Sequence, residues 1–309
     1  SYDTPYYCYY ANEERIEIII EELGEQQPVG DISDISDLTL LKNAKEIMFS
    51  ANQISDITPL FALTSIKRLW LNCNPIHSLI GIEALQNLES IDLSHTKVSD
   101  ITPLFKIPNL YSIDVVDTYV NSIEGVEKLP HLIDLRLSSD VSDISVLKKI
   151  DYSVAKATGG FTLFLGSTYL RDYSALQSIP KYSELGIGSS RSDLFLPFLE
   201  GKSIRRLILA GTDIRSTESL RSIQNLEELE LSYSHQLVSL EGLEVHTGLR
   251  YLRLTECQDV EDYSVLLKLP NLEMLSISAN LQDRVMAQLA NADFEIFVEA
   301  LPEDMQNEE

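Results

Sequence analysis

Leu88-Glu89-Ser90-Ile91-Asp92-Leu93-Ser94-His95-Thr96-Lys97-Val98-Ser99-Asp100-Ile101-Thr102-Pro103-Leu104-Phe105-Lys106-Ile107 carries the grammar of the whole chain. Its apolar residues are Leu88, Ile91, Leu93, Val98, Ile101, Leu104 and Ile107, with polar residues in most of the gaps. The alternation Ile91-Asp92-Leu93 has the period of two that marks a strand. Ser99-Asp100-Ile101-Thr102-Pro103-Leu104 then reads as a turn entering a short helical piece, because Asp caps such a turn and Pro is tolerated in its first turn. The same wording returns at Ser55-Asp56-Ile57-Thr58-Pro59-Leu60 and, relaxed, at Ser142-Asp143-Ile144-Ser145-Val146-Leu147.

Outward from this stretch, short L-x-L segments recur down the chain. Their second apolar residues are Phe49, Leu71, Leu93, Val115, Leu137, Leu165, Ile187, Leu209, Leu231, Leu254 and Ile277, with successive spacings of 22, 22, 22, 22, 28, 22, 22, 22, 23 and 23. One such unit cannot bury its apolar edge alone, so the units must stack, with strands in a parallel ladder and the apolar positions in one continuous core. The expected fold is an α/β solenoid, curved, with the ladder on the concave face, short helical or 3-10 segments on the convex face, and caps at both ends.

The pattern L-x-x-L-x-L-x-x-N-x-I-x-D-I-x-P-L-x-x-L resembles the leucine-rich repeat family. It runs through Ile66 to Leu71 with Asn74, and through Ala44 to Ile57 with Pro59 and Leu60. The 22-residue period and the S-D-I-T-P-L wording look most like the internalin-type branch; the nearest alternative is the eukaryotic phosphatase-regulator branch of equal repeat length. The resemblance covers residues 32–282. It implies a non-enzymatic module that recognises a protein partner through the concave face, as bacterial surface or secreted recognition and adhesion proteins do. An intracellular scaffold or a regulatory subunit that binds another enzyme is the alternative.

The position that the family fills with Asn runs Asn52, Asn74, Thr96, Thr118, Asp140, Thr168, Ser190, Thr212, Ser234, Cys257 and Asn280. Ser and Thr satisfy some of the same backbone groups and Cys only poorly, so the ladder is expected to be less regular. The spacing of 28 marks an insertion at 151–160, expected to bulge as a loop. Residues 1–31 read as an N-terminal arm and helical cap, since Ile16, Ile19, Ile20 and Leu23 fall on one helical face and Gly24 stands where a helix stops. The first ten residues hold Tyr2, Tyr6, Tyr7, Tyr9 and Tyr10 beside Cys8. Residues 283–309 read as a C-terminal cap: a short helix capped by Asp283 and carrying Val285, Met286 and Leu289, a closing strand Phe294–Val298, and an acidic tail from Glu303.

Composition narrows the function. The 309 residues carry 24 Lys+Arg against 48 Asp+Glu, a net charge of −24. Nucleic acid and anionic membrane need clustered cations and are excluded as expected partners, whereas a basic protein surface is favoured. No run of about 18 apolar residues is present, so no membrane insertion is expected. Cys8, Cys73 and Cys257 are too few for a disulfide framework or a metal cage. His77, His95, His131, His235 and His246 form no H-E-x-x-H set, and no C-x-x-C or phosphate-loop motif occurs, so neither an enzyme nor a cofactor is expected. Asp92 and Asp114 hold equivalent places on adjacent strands, about 5 Å apart. On an open face they read as two screened charges rather than an acid–base pair. Cys73, without a partnered His, reads as inert.

The middle residue of each L-x-L projects over the ladder and forms a column: Met48, Trp70, Asp92, Asp114, Arg136, Phe164, Gly186, Ile208, Glu230, Arg253 and Ser276. A neighbouring column adds Arg68, Arg206 and Tyr251 among its members. Apolar residues here are hard to account for as solvated surface. The expected partner-binding residues are Met48, Arg68, Trp70, Asp92, Asp114, Arg136, Phe164, Arg206, Ile208, Glu230, Tyr251 and Arg253, on a chain acting as a monomer. Together with a start at Ser1 rather than Met, the resemblance gives an expected extracellular or cell-surface location, with a cytoplasmic one as the alternative.

Overall fold

A computed structural model describes residues 15–17, 30–166, 169–189 and 191–299. The chain divides into two compact units, residues 1–154 and 155–309. In the first, parallel strands β1 (Arg15–Glu17), β2 (Glu46–Met48), β3 (Arg68–Trp70), β4 (Ser90–Asp92), β5 (Ser112–Asp114) and β6 (Asp134–Leu137) each pair with the next in sequence order. In the second, β7 (Phe161–Leu165), β8 (Lys181–Ile187), β9 (Ser203–Ile208), β10 (Glu228–Glu230), β11 (Tyr251–Arg253), β12 (Met274–Ser278) and β13 (Glu295–Glu299) do the same. All eleven residues that set the period, Phe49 through Ile277, are buried, as are the residues two before them. Each unit is thus a leucine-rich repeat solenoid in which every turn lends its apolar edge to the next.

The turns opposite the strands are short 3-10 helices, such as Thr58–Ala62, Thr102–Lys106 and Ser145–Lys149. Asp caps them from two residues upstream: Asp56, Asp100 and Asp143 accept the N–H of Thr58, Thr102 and Ser145 at 2.9, 2.9 and 2.7 Å. A second turn type was not evident from the apolar spacing. In Gly81-Ile82-Glu83, Gly125-Val126-Glu127 and Gly242-Leu243-Glu244 the Glu side chain reaches back two residues and accepts the Gly N–H at 3.1, 2.9 and 2.9 Å.

The chain leaves its strands through a left-handed residue. Ala51, Cys73, His95, Asp117, Gly211, Tyr233 and Glu256 occupy the same repeat position, two after the strand's last buried apolar residue, with φ between 52° and 71°. The residue that follows is thereby turned inward. Asn74 Oδ1 accepts from Ile54 N (2.9 Å), while Nδ2 donates to Phe49 O (2.6 Å) and Leu71 O (3.0 Å). Thr96 and Thr118 donate instead to Leu93 O and Val115 O at 2.6 and 2.7 Å. Even Cys257 serves, its thiol 3.1 Å from Leu231 O. Two members of the expected ladder do not join it. The segment Leu137–Val141 is one residue shorter than Leu93–Val98, so Asp140 swings out to solvent and Ser138 Oγ donates to Thr118 O at 2.7 Å. Asn280 is exposed, within the 3-10 turn Ala279–Leu281. Thr168 and Ser190 lie outside the described residues. A second asparagine ladder is not evident from the apolar spacing: Asn87, Asn109 and Asn271 donate to Thr64 O, Gln86 O and Thr247 O of the preceding repeat at 2.9, 3.0 and 2.7 Å.

Three expectations need correction. Arg15–Glu17 is a strand paired with β2, where the apolar spacing from Ile16 pointed to a helix; residues 18–29, the tyrosine-rich first ten residues and the tail from Glu303 lie outside the described residues. The insertion at 151–160 does not bulge as a loop. It folds into α1 (Ser153–Thr158), Asp151 accepts the Ser153 N–H, and buried Tyr152 donates its hydroxyl to Leu147 O at 2.8 Å. After a second short helix, α2 (Ser192–Phe195), the chain closes with α3 (Gln282–Gln288) and β13. Asp283 sits inside the first turn of α3 rather than capping it, Val285 and Leu289 are buried, and Met286 is exposed.

Replacing Asn74 by Ala leaves buried backbone groups of two repeats unpaired and is expected to cost about 2–4 kcal/mol in urea unfolding. Asn109→Ala, at an exposed bond, is expected to change stability by less than about 0.5 kcal/mol. Gly211→Ala tests the strand exit. A Cβ there meets nothing within 4 Å, so the expected loss of about 1 kcal/mol comes from the backbone at φ +71° alone.

Candidate functional site: the open strand face

Strand pleating buries the middle residue of each three-residue strand and turns its two neighbours outward. In the first unit Met48, Trp70, Asp92, Asp114 and Arg136 are in register on consecutive strands β2 to β6, and Arg68 lies beside them between Glu46 and Ser90. In the second unit Phe164, Gly186, Ile208, Glu230, Arg253 and Ser276 are likewise in register, flanked by Arg206 and Tyr251. All twelve residues singled out from the sequence therefore stand on open strand faces, six in each unit.

The apolar members are set lower than knobs on a solvated surface would be. Met48, Trp70, Phe164 and Ile208 are each half-buried. Phe164 shows how. Its ring lies across β8 over Gly186, where an added Cβ would come within 2.2 Å of the ring edge, so the glycine is the recess that lets the aromatic lie flat. Phe164 and Ile208 together form an apolar floor.

The charged members are mostly cross-linked. Arg68 binds Glu46 at 2.5 Å and also engages Tyr111. Arg206 lies between Glu184 (3.8 Å) and Glu228 (3.5 Å), and Arg253 between Glu230 (3.7 Å) and Glu299 (3.2 Å). Glu299 also accepts from Thr255 Oγ1 and Ser276 Oγ, each at 2.9 Å. That carboxylate, and Phe297 at 49% exposure in register with Ser276, extend the face onto β13. The alternation through Phe294–Val298 predicts a strand, but lying outside the repeat spacing it does not show that the outward residues join the face.

Asp92 and Asp114 are not two screened surface charges. Desolvation raises both, and the Asp92 carboxylate adds to it at Asp114, pushing that group up to about 7. Bonds from Ser94 N (2.9 Å) and Ser94 Oγ (2.7 Å) hold Asp92, and Val116 N (3.0 Å) holds Asp114. Arg136, next in register, favours the charged form without offsetting burial.

The strand-exit column sets Cys73, His95 and Asp117 on successive repeats, with His95 Nδ1 3.4 Å from Asp117 Oδ2. Burial first, and then the Asp92 charge, push the Cys73 thiol up, opposite to the shift that activates a nucleophile. Among the described residues no group of three His, Cys, Asp or Glu is arranged to hold a metal ion, and no helix is long and apolar enough to cross a membrane.

Asp114 supplies a pH test. Its folded value lies above its unfolded one of about 3.8, so the fold binds this proton more tightly than the unfolded chain does. The contribution is full below about pH 4 and is lost as pH rises through about 7. Asp114→Asn is expected to flatten this slope in urea titrations and to be more stable than wild type above pH 7, by about 1 kcal/mol after discounting for partial exposure.

No protein-family model matches the chain, and no curated protein matches it by sequence. Solved structures do. An internalin (InlF) from Listeria monocytogenes is 20% identical with a TM-score of 0.51, over 87% of this chain and 73% of that one. A leucine-rich repeat protein from Leptospira interrogans is 18% identical with a TM-score of 0.54, over 85% of this chain and 74% of that one. Ladder, turns and buried repeat positions agree with these likenesses, and by fold the chain is a leucine-rich repeat protein.

Proposed function

We propose that the chain is a non-enzymatic recognition module that binds a protein partner through its open strand faces. The observation that carries this reading is the in-register run Met48–Trp70–Asp92–Asp114, where the sole tryptophan adjoins Asp92, the first of two desolvated carboxylates on neighbouring strands. Aromatic side chains give a partner large, rigid contact area. Carboxylates kept partly dry gain most from an incoming cation, so the partner presents a basic surface, in keeping with the net charge of −24. In the second unit the Phe164–Ile208 floor, edged by Glu184 and Arg206, offers a separate contact area of the same kind.

The bacterial origin of the structurally similar internalin and Leptospira protein supports a secreted or cell-surface setting. One observation favours the alternative of an intracellular scaffold or regulatory subunit: Cys73 and Cys257 are both unpaired, as thiols are in reducing compartments.

The test is binding of purified candidate partners to the immobilised chain, comparing wild type with Trp70→Ala and Phe164→Ala. A partner on these faces is expected to lose affinity about tenfold or more with at least one variant. It should also weaken with rising salt and be indifferent to Ile80→Ser, a change at an exposed turn residue. A partner that binds all three variants equally would move the site off the strand faces.

A further inference from the structure

One buried ionisable group plays no part in the recognition face. His246 closes the 3-10 turn Leu243–Val245 after β10 and is only 5% exposed. Its backbone repeats the bonding of a core leucine: His246 N donates to Leu243 O and Leu249 N to His246 O, both at 2.9 Å, as Leu85 N does to Ile82 O (2.9 Å) and Leu88 N to Leu85 O (3.0 Å). Leu85 and Leu129, in the equivalent places, are buried hydrocarbon. The imidazole therefore fills a leucine site, and its Nε2 is buried without a hydrogen-bond partner.

We propose that His246 makes the seam between the turns following β9 and β10 acid-labile, the imidazole acting as a proton-operated wedge in a leucine position. As a neutral ring it behaves as a compact, mostly apolar filler. A proton arriving on Nε2 creates a second N–H with no acceptor and a cation in a dry seam, both of which are costly.

The surrounding charges do not remove that cost. On its own turn Glu244 favours the cation, but Glu244 is bound to Arg221 at 3.2 Å. Arg221, at the end of the neighbouring turn, opposes it and is held there by Glu218 as well. From the turn on the other side Lys268 acts on Glu244. The Leu220 carbonyl favours the charged ring, yet burial outweighs it and holds the imidazole below its ordinary value. The folded chain thus binds this proton less tightly than the unfolded one. The stability is full above about pH 6.5 and is lost as pH falls below it.

Hydrogen exchange on the full chain at about pH 7.5 and about pH 5, corrected for intrinsic rates, tests this with wild type and His246→Leu. In wild type the amides of Leu243, His246 and Leu249 are expected to lose about tenfold of their protection at the lower pH, while the variant keeps it. Equal loss in both proteins, or no loss in wild type, would overturn the proposal. If the variant does not fold, NMR titration of the His246 ring in wild type decides: a midpoint below the ordinary histidine value upholds the wedge, and one at or above it refutes it.

Discussion

The way the chain leaves each strand governs both units. After the last buried apolar residue the backbone must turn sharply, and it does so through a residue at φ near +60°, a conformation that costs an L-residue about 1 kcal/mol or more. Seven repeats accept that conformation, six of them with a side chain other than glycine. In return the next residue points inward, where Asn74, Thr96, Thr118 or Cys257 donates to carbonyls that the turn would otherwise leave dry and unpaired. Strain at one residue is offset by polar satisfaction at the next, and the parallel ladder follows because each strand then starts in register with its neighbour.

Most of this was legible in the sequence because the signal is periodic. The eleven core positions from Phe49 to Ile277 and the outward column from Met48 to Ser276 follow from spacing and pleat alone. Less legible was how deep each outward residue lies. Phe164 is lowered by Gly186 on the adjacent strand, 22 residues away, and Glu299 folds onto Thr255 and Ser276 from a strand outside the repeat pattern. Spacing read as amphipathic also misled at Ile16, where tertiary pairing with β2 made a strand. The insertion failed as a loop because Tyr152 and Ala155 found places in the core, which composition does not reveal.

Charge on the open faces follows one economy. Arg206 and Arg253 each lie between carboxylates on neighbouring strands, so their net pull on an incoming ligand is small. Asp92 and Asp114 differ, since Arg136 does not cancel their mutual repulsion or their loss of water. The second unit offers an apolar floor between neutralised pairs; the first offers, beside an indole ring, carboxyls that an incoming cation would help to ionise.

The short parallel strands also set how the molecule answers a mechanical load. A pull along the stacking direction of either unit strains the few bonds of one rung before the next, so turns peel off singly instead of shearing together. Each released 22-residue turn yields up to about 75 Å of slack chain at about 3.4 Å per residue. The ladder is therefore compliant: strands away from the loaded end keep their register while the end unwinds.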